Sequence, residues 1–290
     1  MHVPVLLDEV LEYLQPKAGQ NFIDCTIGGG GHSFKILSYT EPDGKILGID
    51  LSPEAVEKID NKRRALNLRE RIILANDNFA NLQEIVERNS FSPVHGILLD
   101  LGLSSDLIES SDRGFSFMRD ETLDMRFNPG LSSLTAQEII NQYSEKTLRE
   151  IFWRYGEERY SSRIAREIVR NRKRKKIQTS AQLSELIKKT LGFRFKIKVL
   201  ARIFQSLRIV VNQELENLQQ ALTSSLDILL PSGRIVVLSY HTLEDRIVKR
   251  FFKEENSFKI LTKKPITPSS EEIKKNPRSR SAKLRVAEKI

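Results

Sequence analysis

The chain has 290 residues, 39% hydrophobic and 29% charged, which is ample for a sizeable core without disulfides or a structural metal to staple it. Its 47 basic against 38 acidic side chains leave a net charge of +9, which favours an anionic partner and says nothing about fold. Cys25 stands alone and the four histidines lack zinc-type spacing, so a disulfide framework and a multi-cysteine metal site are excluded and no metal is expected.

In chain order, Leu6, Leu7, Val10, Leu11 and Leu14 recur at helical spacing, which predicts an amphipathic helix over 4–14. The opening MHVPVLLDEV has no basic residue ahead of its apolar run, and no later run approaches membrane-spanning length. A cytoplasmic protein without a membrane partner is expected. Four short, continuous apolar runs follow at 21–25, 45–50, 71–75 and 94–101, alternating with helical stretches. Strands buried on both faces look like this, and the alternation predicts a parallel sheet.

From about 106 to 200 the strand signals stop. A polar loop over 106–130 leads into helix-period segments at 135–171 and 180–190. A long helical run at 207–229 precedes the strand text GRIVVLSY, and another helix is expected at 242–255. Runs at 258–262 and 284–288 read as two last strands. The expected fold class is therefore α/β: a Rossmann-like, doubly wound, seven-stranded core with an inserted all-helical domain. The expected division is 1–105 for the first part of the core, 106–205 for the insertion and 206–290 for the second part.

The turn after the first strand reads Asp24-Cys-Thr-Ile-Gly-Gly-Gly-Gly31-His32. Glycines there let a ligand approach the backbone, and the helix behind them presents unpaired amides. Ser33 breaks the dinucleotide fingerprint, and no Gly-Lys-Ser/Thr follows to make a P-loop. Asp50 closes the second strand, where a carboxylate can accept both hydroxyls of an adenosine ribose. With Asp24 placed to face a cation, the pattern suits S-adenosylmethionine better than a pyrophosphate cofactor. The bland reading is a glycine-rich turn with a solvated strand-end aspartate. Strand four ends at Asp100, on the edge that faces the ligand crevice of a doubly wound sheet. The loop beyond it holds Arg113-Gly-Phe-Ser-Phe117 and Leu123-Asp-Met-Arg126. Phenylalanines beside Arg and Gly suit a pocket for an unstacked base, or else pack in the core.

Nine motifs in order carry a resemblance. They are HVPVLL from His2, the glycine turn to Ser33, DLGLSS from Asp100, RGFSF, LDMR, YGEER from Tyr155, FQSLRI with Val211-Asn212, SYHTLEDR from Ser239 and NPRSRSAKLR from Asn276. Together, from residue 2 to residue 285, they resemble the RsmH (MraW) family of ribosomal RNA cytosine-N4 methyltransferases. The resemblance implies S-adenosylmethionine as cofactor. It also implies small-subunit ribosomal RNA, or the small ribosomal subunit, as partner, methylated on a cytidine of the decoding region. By analogy cofactor contacts fall on Gly30, Gly31, His32, Asp50, Phe79 and Asp100. Substrate contacts are expected on Ser104, Arg113, Phe115, Phe117, Asp124 and Arg126, the last acid and base pairing to hold the loop.

The N4 amine of cytosine is a poor nucleophile because its lone pair is delocalised. An acceptor on N4–H favours a more tetrahedral nitrogen, so alignment and a late proton transfer carry the reaction. Asp100 is the first catalytic candidate, as acceptor or as cofactor anchor, and His241 is the second, although a lone strand-end histidine is more often structural. Leu107 stands where the family has Gln, the stretch Ser105–Asp112 departs from Pro-Gln-Leu-Asp, and Lys198–Ala201 stands where the family has His/Asn-Pro-Ala-Thr.

The charge is concentrated. Residues 159–176 carry a net +8 and residues 273–290 a net +6, leaving the remainder mildly acidic. In the first run Tyr160, Ile164 and Ile168 recur every fourth residue, so Arg170, Arg172 and Arg174 are expected on a basic face that contacts phosphates. The second run is a further phosphate contact or a strand with charged flanks. The same transfer to DNA or another RNA, a non-catalytic RNA-binding assembly factor and, least supported, an NAD oxidoreductase are the competing readings.

Overall fold

The computed structural model describes residues 4–103, 107 and 111–290. The chain divides into two compact units, one of residues 1–102 with 215–290 and one of residues 103–214.

The first unit is built on a seven-stranded sheet of order β3-β2-β1-β4-β5-β7-β6. Its strands are β1 (Phe22–Asp24), β2 (Ile46–Asp50), β3 (Ile72–Asn76), β4 (Val94–Asp100), β5 (Leu229–Ser239), β6 (Phe258–Ile260) and β7 (Lys283–Lys289). The first five pair in parallel, and β7 runs antiparallel to both β5 and β6. This is the Rossmann-like, seven-stranded class expected, with β7 alone running against the other six strands. Ile23, Leu47, Ile49, Ile97 and Leu99 face one core, while Phe22, Ile46, Ile72, Leu98 and Val236 face the other. A sheet covered on both faces explains why these strands are continuously apolar.

Helices α1 (Leu7–Leu14), α2 (Gly31–Tyr39), α3 (Pro53–Ala65) and α4 (Leu82–Arg88) alternate with the first strands. Helix α3 starts as its Ser-Pro text predicts, the Ser52 side chain accepting from the Ala55 amide ahead of Pro53. Helix α1 starts at Leu7 rather than at residue 4, because Leu6 is left-handed and donates its amide to Glu272 Oε1 at 2.8 Å.

The second unit is helical: α5 (Ala136–Gln142), α6 (Glu145–Arg154), α7 (Ser161–Arg172), α8 (Ser180–Leu191) and α9 (Ile197–Asn212). Phe152, Ile164, Ile168, Leu183, Ile187, Leu200 and Leu207 form its core. Two boundaries differ from expectation. The run at 207–229 is two helices, α9 and α10 (Glu214–Ile228), parted by left-handed Gln213. The unit extends to residue 214 rather than 205 because α9 is unbroken and packs into the helical core. Asn212 fixes that end, its Oδ1 accepting from Phe127 N at 2.8 Å and its Nδ2 donating to Met125 O at 2.8 Å.

Helices α11 (Thr242–Glu254) and α12 (Ser270–Lys275) complete the first unit. No helix among the described residues is long and apolar enough to cross a membrane.

Candidate functional site

Asp24, Asp50 and Asp100 are the last residues of β1, β2 and β4, and Tyr240 directly follows β5. Since β2, β1, β4 and β5 are neighbours in the sheet, the four side chains stand in a row along its carboxyl edge. Strand order reverses between β1 and β4, which is where doubly wound sheets open a crevice.

Asp24 is buried and tied to its own loop, its Oδ2 accepting from Ser33 Oγ at 2.6 Å and its Oδ1 from Thr26 N at 3.1 Å. Burial raises its pKa above the ordinary carboxylate range, with the Ser33 hydrogen bond opposing. Burial likewise pushes the Cys25 thiol well above its usual value, so this cysteine is a core residue. Asp50 bridges two turns: Oδ2 accepts from Gly28 N and Oδ1 from Ser52 N, both at 2.9 Å. Each oxygen keeps a second lone pair for an outside donor. Burial pushes Asp50 up to about 6 despite these amides.

The glycine turn is glycine for two reasons. Gly30 has a φ of +75°, and a Cβ there would meet Phe34 at 2.7 Å and Ile59 at 2.8 Å. A Cβ on Gly31 would lie 2.4 Å from Pro4 Cγ. Packing beneath the turn demands these two glycines, and beside Gly29 there is open space.

Asp100 is held on one oxygen. Its Oδ1 accepts from Tyr240 Oη at 2.8 Å and from Gly102 N at 3.3 Å. Its Oδ2 lies 3.8 Å from His32 Nδ1, while His32 Nε2 makes a 3.0 Å hydrogen bond with Val5 O. Burial, followed by the Asp100 charge, raises the Tyr240 phenol far above its ordinary value, so it stays a donor to that carboxylate. Tyr240 is the site residue that sequence reasoning passed over. The SYHTLEDR text drew attention to the histidine instead, and the tyrosine is marked by its hydrogen bond to Asp100 and by the close approach of its ring to Gly102.

His241 takes the structural place that a strand-end histidine more often has. It is the N-cap of α11: Nδ1 accepts from Glu244 N at 3.3 Å, and Glu244 Oε2 accepts from Tyr240 N at 2.7 Å and His241 N at 3.2 Å. That box orients Tyr240, so the motif serves the site through helix capping. Phe79 is half-buried in the short turn after β3, against the core side that holds Leu82 and Ile85.

The base-loop residues are held inside the helical unit. Asp124 and Arg126 form the expected pair, bidentate at 2.8 and 2.6 Å, and Arg126 also donates to Ser132 O at 2.8 Å. Arg113 donates to Arg126 O and Phe127 O at 3.2 and 3.0 Å. Phe115 is buried and stacks on Phe127 with centroids 5.6 Å apart, and Phe117 meets Phe204 edge-on at 5.7 Å. Phe115 belongs to the helical core, and Phe117 is half-buried against it. Ser104 and most of the 105–112 stretch lie outside the described residues.

The basic run forms α7, which buries Ile164, Ala165 and Ile168. Arg170 and Arg174 are exposed, Arg170 lying 3.7 Å from Glu167. Arg172 turns inward and donates to Ile140 O and Tyr143 O at 2.6 Å each. It ties α7 to the end of α5 and does not share the exposed face. The C-terminal run divides: Lys274 and Lys275 end α12, Arg278 and Arg280 are exposed on a short turn, and β7 holds Arg285, which is buried and donates to Asp245 Oδ1 at 2.6 Å. The strand with charged flanks is seen over Lys283–Lys289.

The profile of the MraW methylase family matches residues 1–290. The chain is 44% identical to the ribosomal RNA small subunit methyltransferase H of Dehalococcoides mccartyi, covering 100% of this chain and 86% of that protein. It is 44% identical to the Thermomicrobium roseum protein of that name, covering 100% and 94%, and 42% identical to that of Heliobacterium mobile, covering 100% and 99%.

Proposed function

The chain belongs to the MraW methylase family, and from that premise we propose that it moves a methyl group from S-adenosylmethionine to the N4 amine of a cytidine in the decoding region of small-subunit ribosomal RNA. The observation that carries this reading is Asp100, at the crevice end of β4 with Oδ1 fixed by Tyr240 and Oδ2 turned toward His32.

The donor set fits the cofactor. Asp24, Asp50 and Asp100 make the crevice edge acidic, which repels a pyrophosphate and attracts a sulfonium cation. The spare lone pairs of Asp50 suit ribose hydroxyls, Phe79 offers an apolar face for adenine, and the open side of Gly29 leaves room beside the turn. Gly30, Gly31 and His32 shape that turn. When bound, S-adenosylmethionine supplies an electrophilic methyl group. Asp100 Oδ2 accepts the N4–H hydrogen bond, orients the amine lone pair and takes the proton that N4 sheds. Tyr240 and Gly102 keep Oδ1 occupied, so Oδ2 is the atom presented. Small subunits incubated with the protein and cofactor should yield N4-methylcytidine by mass spectrometry, and no methylated cytidine despite cofactor binding would overturn the assignment.

The Asp50 shift gives opposite pH signs for two measurements. A carboxyl raised from 3.8 to about 6 adds stability in full below 3.8, and that stability is lost as pH rises through about 6. Ribose binding needs the ionised acceptor, so cofactor affinity falls as pH drops through the same value, to roughly a tenth at pH 5 of that at pH 8. Calorimetry across this range checks it, and a flat affinity would remove Asp50 from the ribose.

Arg170 and Arg174 are proposed to contact RNA phosphates, and Arg172 to hold α7. Replacing the first two with Gln should flatten the salt dependence of RNA binding by at most about one charge each. Arg172→Ala should instead cost about 2 kcal/mol of stability, because two carbonyls lose a charged donor. Equal effects of both replacements on RNA binding would contradict this division.

A further inference from the structure

The end of α8 carries a feature that neither the crevice nor the α7 stripe uses. Leu191 is buried and Phe195 packs against the helical core, whereas Phe193 between them is 89% exposed. The chain turns there at Gly192, with φ +54°, and a 3.0 Å hydrogen bond from Phe195 N to Gly192 O holds the short turn. The Arg194 guanidinium carbon lies 4.5 Å from the Phe193 ring centroid. Lys188, Lys189, Lys196 and Lys198, its neighbours in sequence, are exposed, and no acidic residue occurs from 188 to 198. Lys189 is paired with Glu185 at 2.8 Å.

An exposed aromatic ring with a guanidinium on it, in a setting of one charge sign, matches what single-stranded nucleic acid requires. The ring stacks on an unpaired base, and the cations follow the phosphates. A protein or membrane partner would be met by apolar surface, which here is Phe193 and half-exposed Ile197 in a segment whose charged residues are all basic. We propose that the 188–198 turn is a single-stranded RNA contact, with Phe193 stacking on an unpaired base and Arg194, Lys196 and Lys198 holding its phosphates. The inference rests on RNA being the substrate and assigns a further grip for it. It falls partly on the Lys198–Ala201 stretch, where this chain departs from the family pattern.

The test uses the full chain and a fluorescein-labelled single strand of decoding-region sequence, alone or annealed into a duplex. Phe193→Ala should weaken single-strand binding about tenfold and leave duplex binding nearly unchanged, with Phe193→Tyr restoring affinity. Because the ring is exposed, thermal melting should not move. In a Trp153→Phe background, Phe193→Trp should have its fluorescence quenched by the single strand. Unchanged single-strand affinity in Phe193→Ala overturns the proposal, as does an equal loss for the duplex. So does loss of self-association in sedimentation with RNA affinity intact, which would mark a contact between copies of this chain. Wild-type protein whose RNA binding depends on Phe193 but which forms no N4-methylcytidine would sink the proposed reaction and keep this surface. Methylation that proceeds without any Phe193 dependence of binding would do the reverse.

Discussion

Asp100→Ala is expected to slow methyl transfer by at least about 10²-fold, within the range that loss of a positioned acid–base group produces. The reason lies in how the carboxylate is held. Tyr240 Oη and Gly102 N fix Oδ1, and the Asp100 amide itself donates to Thr26 Oγ1 at 2.7 Å, so the side chain is oriented before any ligand arrives. Single-turnover kinetics and calorimetry separate the roles. A loss confined to the rate places Oδ2 at the amine, and an equal loss of cofactor affinity places it on the cofactor. Asp100→Asn keeps the shape and removes the charge, and it should stay slow if proton acceptance matters. Tyr240→Phe should give a smaller loss, because the carboxylate remains but loses one of its two restraints. A wild-type rate in Asp100→Ala would remove this residue from the mechanism.

Phe152→Ala should cost about 3–5 kcal/mol, because a fully buried ring in the helical core leaves a cavity that the helices packed around it cannot close. Its neighbour Trp153 is 60% exposed, and Trp153→Ala should cost under about 0.5 kcal/mol. Trp153 is the chain's single tryptophan and sits in α6, so its fluorescence follows unfolding of the helical unit directly. Denaturant melts of Phe152→Ala by that signal should shift to lower midpoint. Cofactor affinity, carried by residues of the other unit, should hold under native conditions. A midpoint shift as small as that of Trp153→Ala would show that the ring is not the keystone its burial indicates.

Much of the core was legible because its chemistry is local. Continuous apolar runs ending in Asp24, Asp50 and Asp100 give buried parallel strands with acids at their carboxyl ends, and Ser52-Pro53 announces a helix start. The helical insertion was legible from periodicity, but its far boundary was not. Asn212 and Gln213 look like ordinary helical text until Asn212 is seen bonded to Met125 and Phe127, far away in sequence. The loop aromatics Phe115 and Phe117 read equally well as a base pocket or a core. Their partners Phe127 and Phe204 are distant, so spacing could not choose.

The sequence by itself determined the fold class, the acidic crevice edge and the segregation of positive charge, since each follows from residue type at fixed local spacing. The tertiary structure decided which charges are available. Arg172 and Arg285 sit in runs that read as uniformly basic, yet one is drawn onto backbone carbonyls and the other onto Asp245, while Arg170 and Arg174 stay in water. It also gave the SYHTLEDR text its meaning, with His241 capping a helix and Tyr240 holding Asp100. Local spacing fixes periodicity and end chemistry. The direction of a long polar side chain is set by whichever distant donor or acceptor packing leaves within reach.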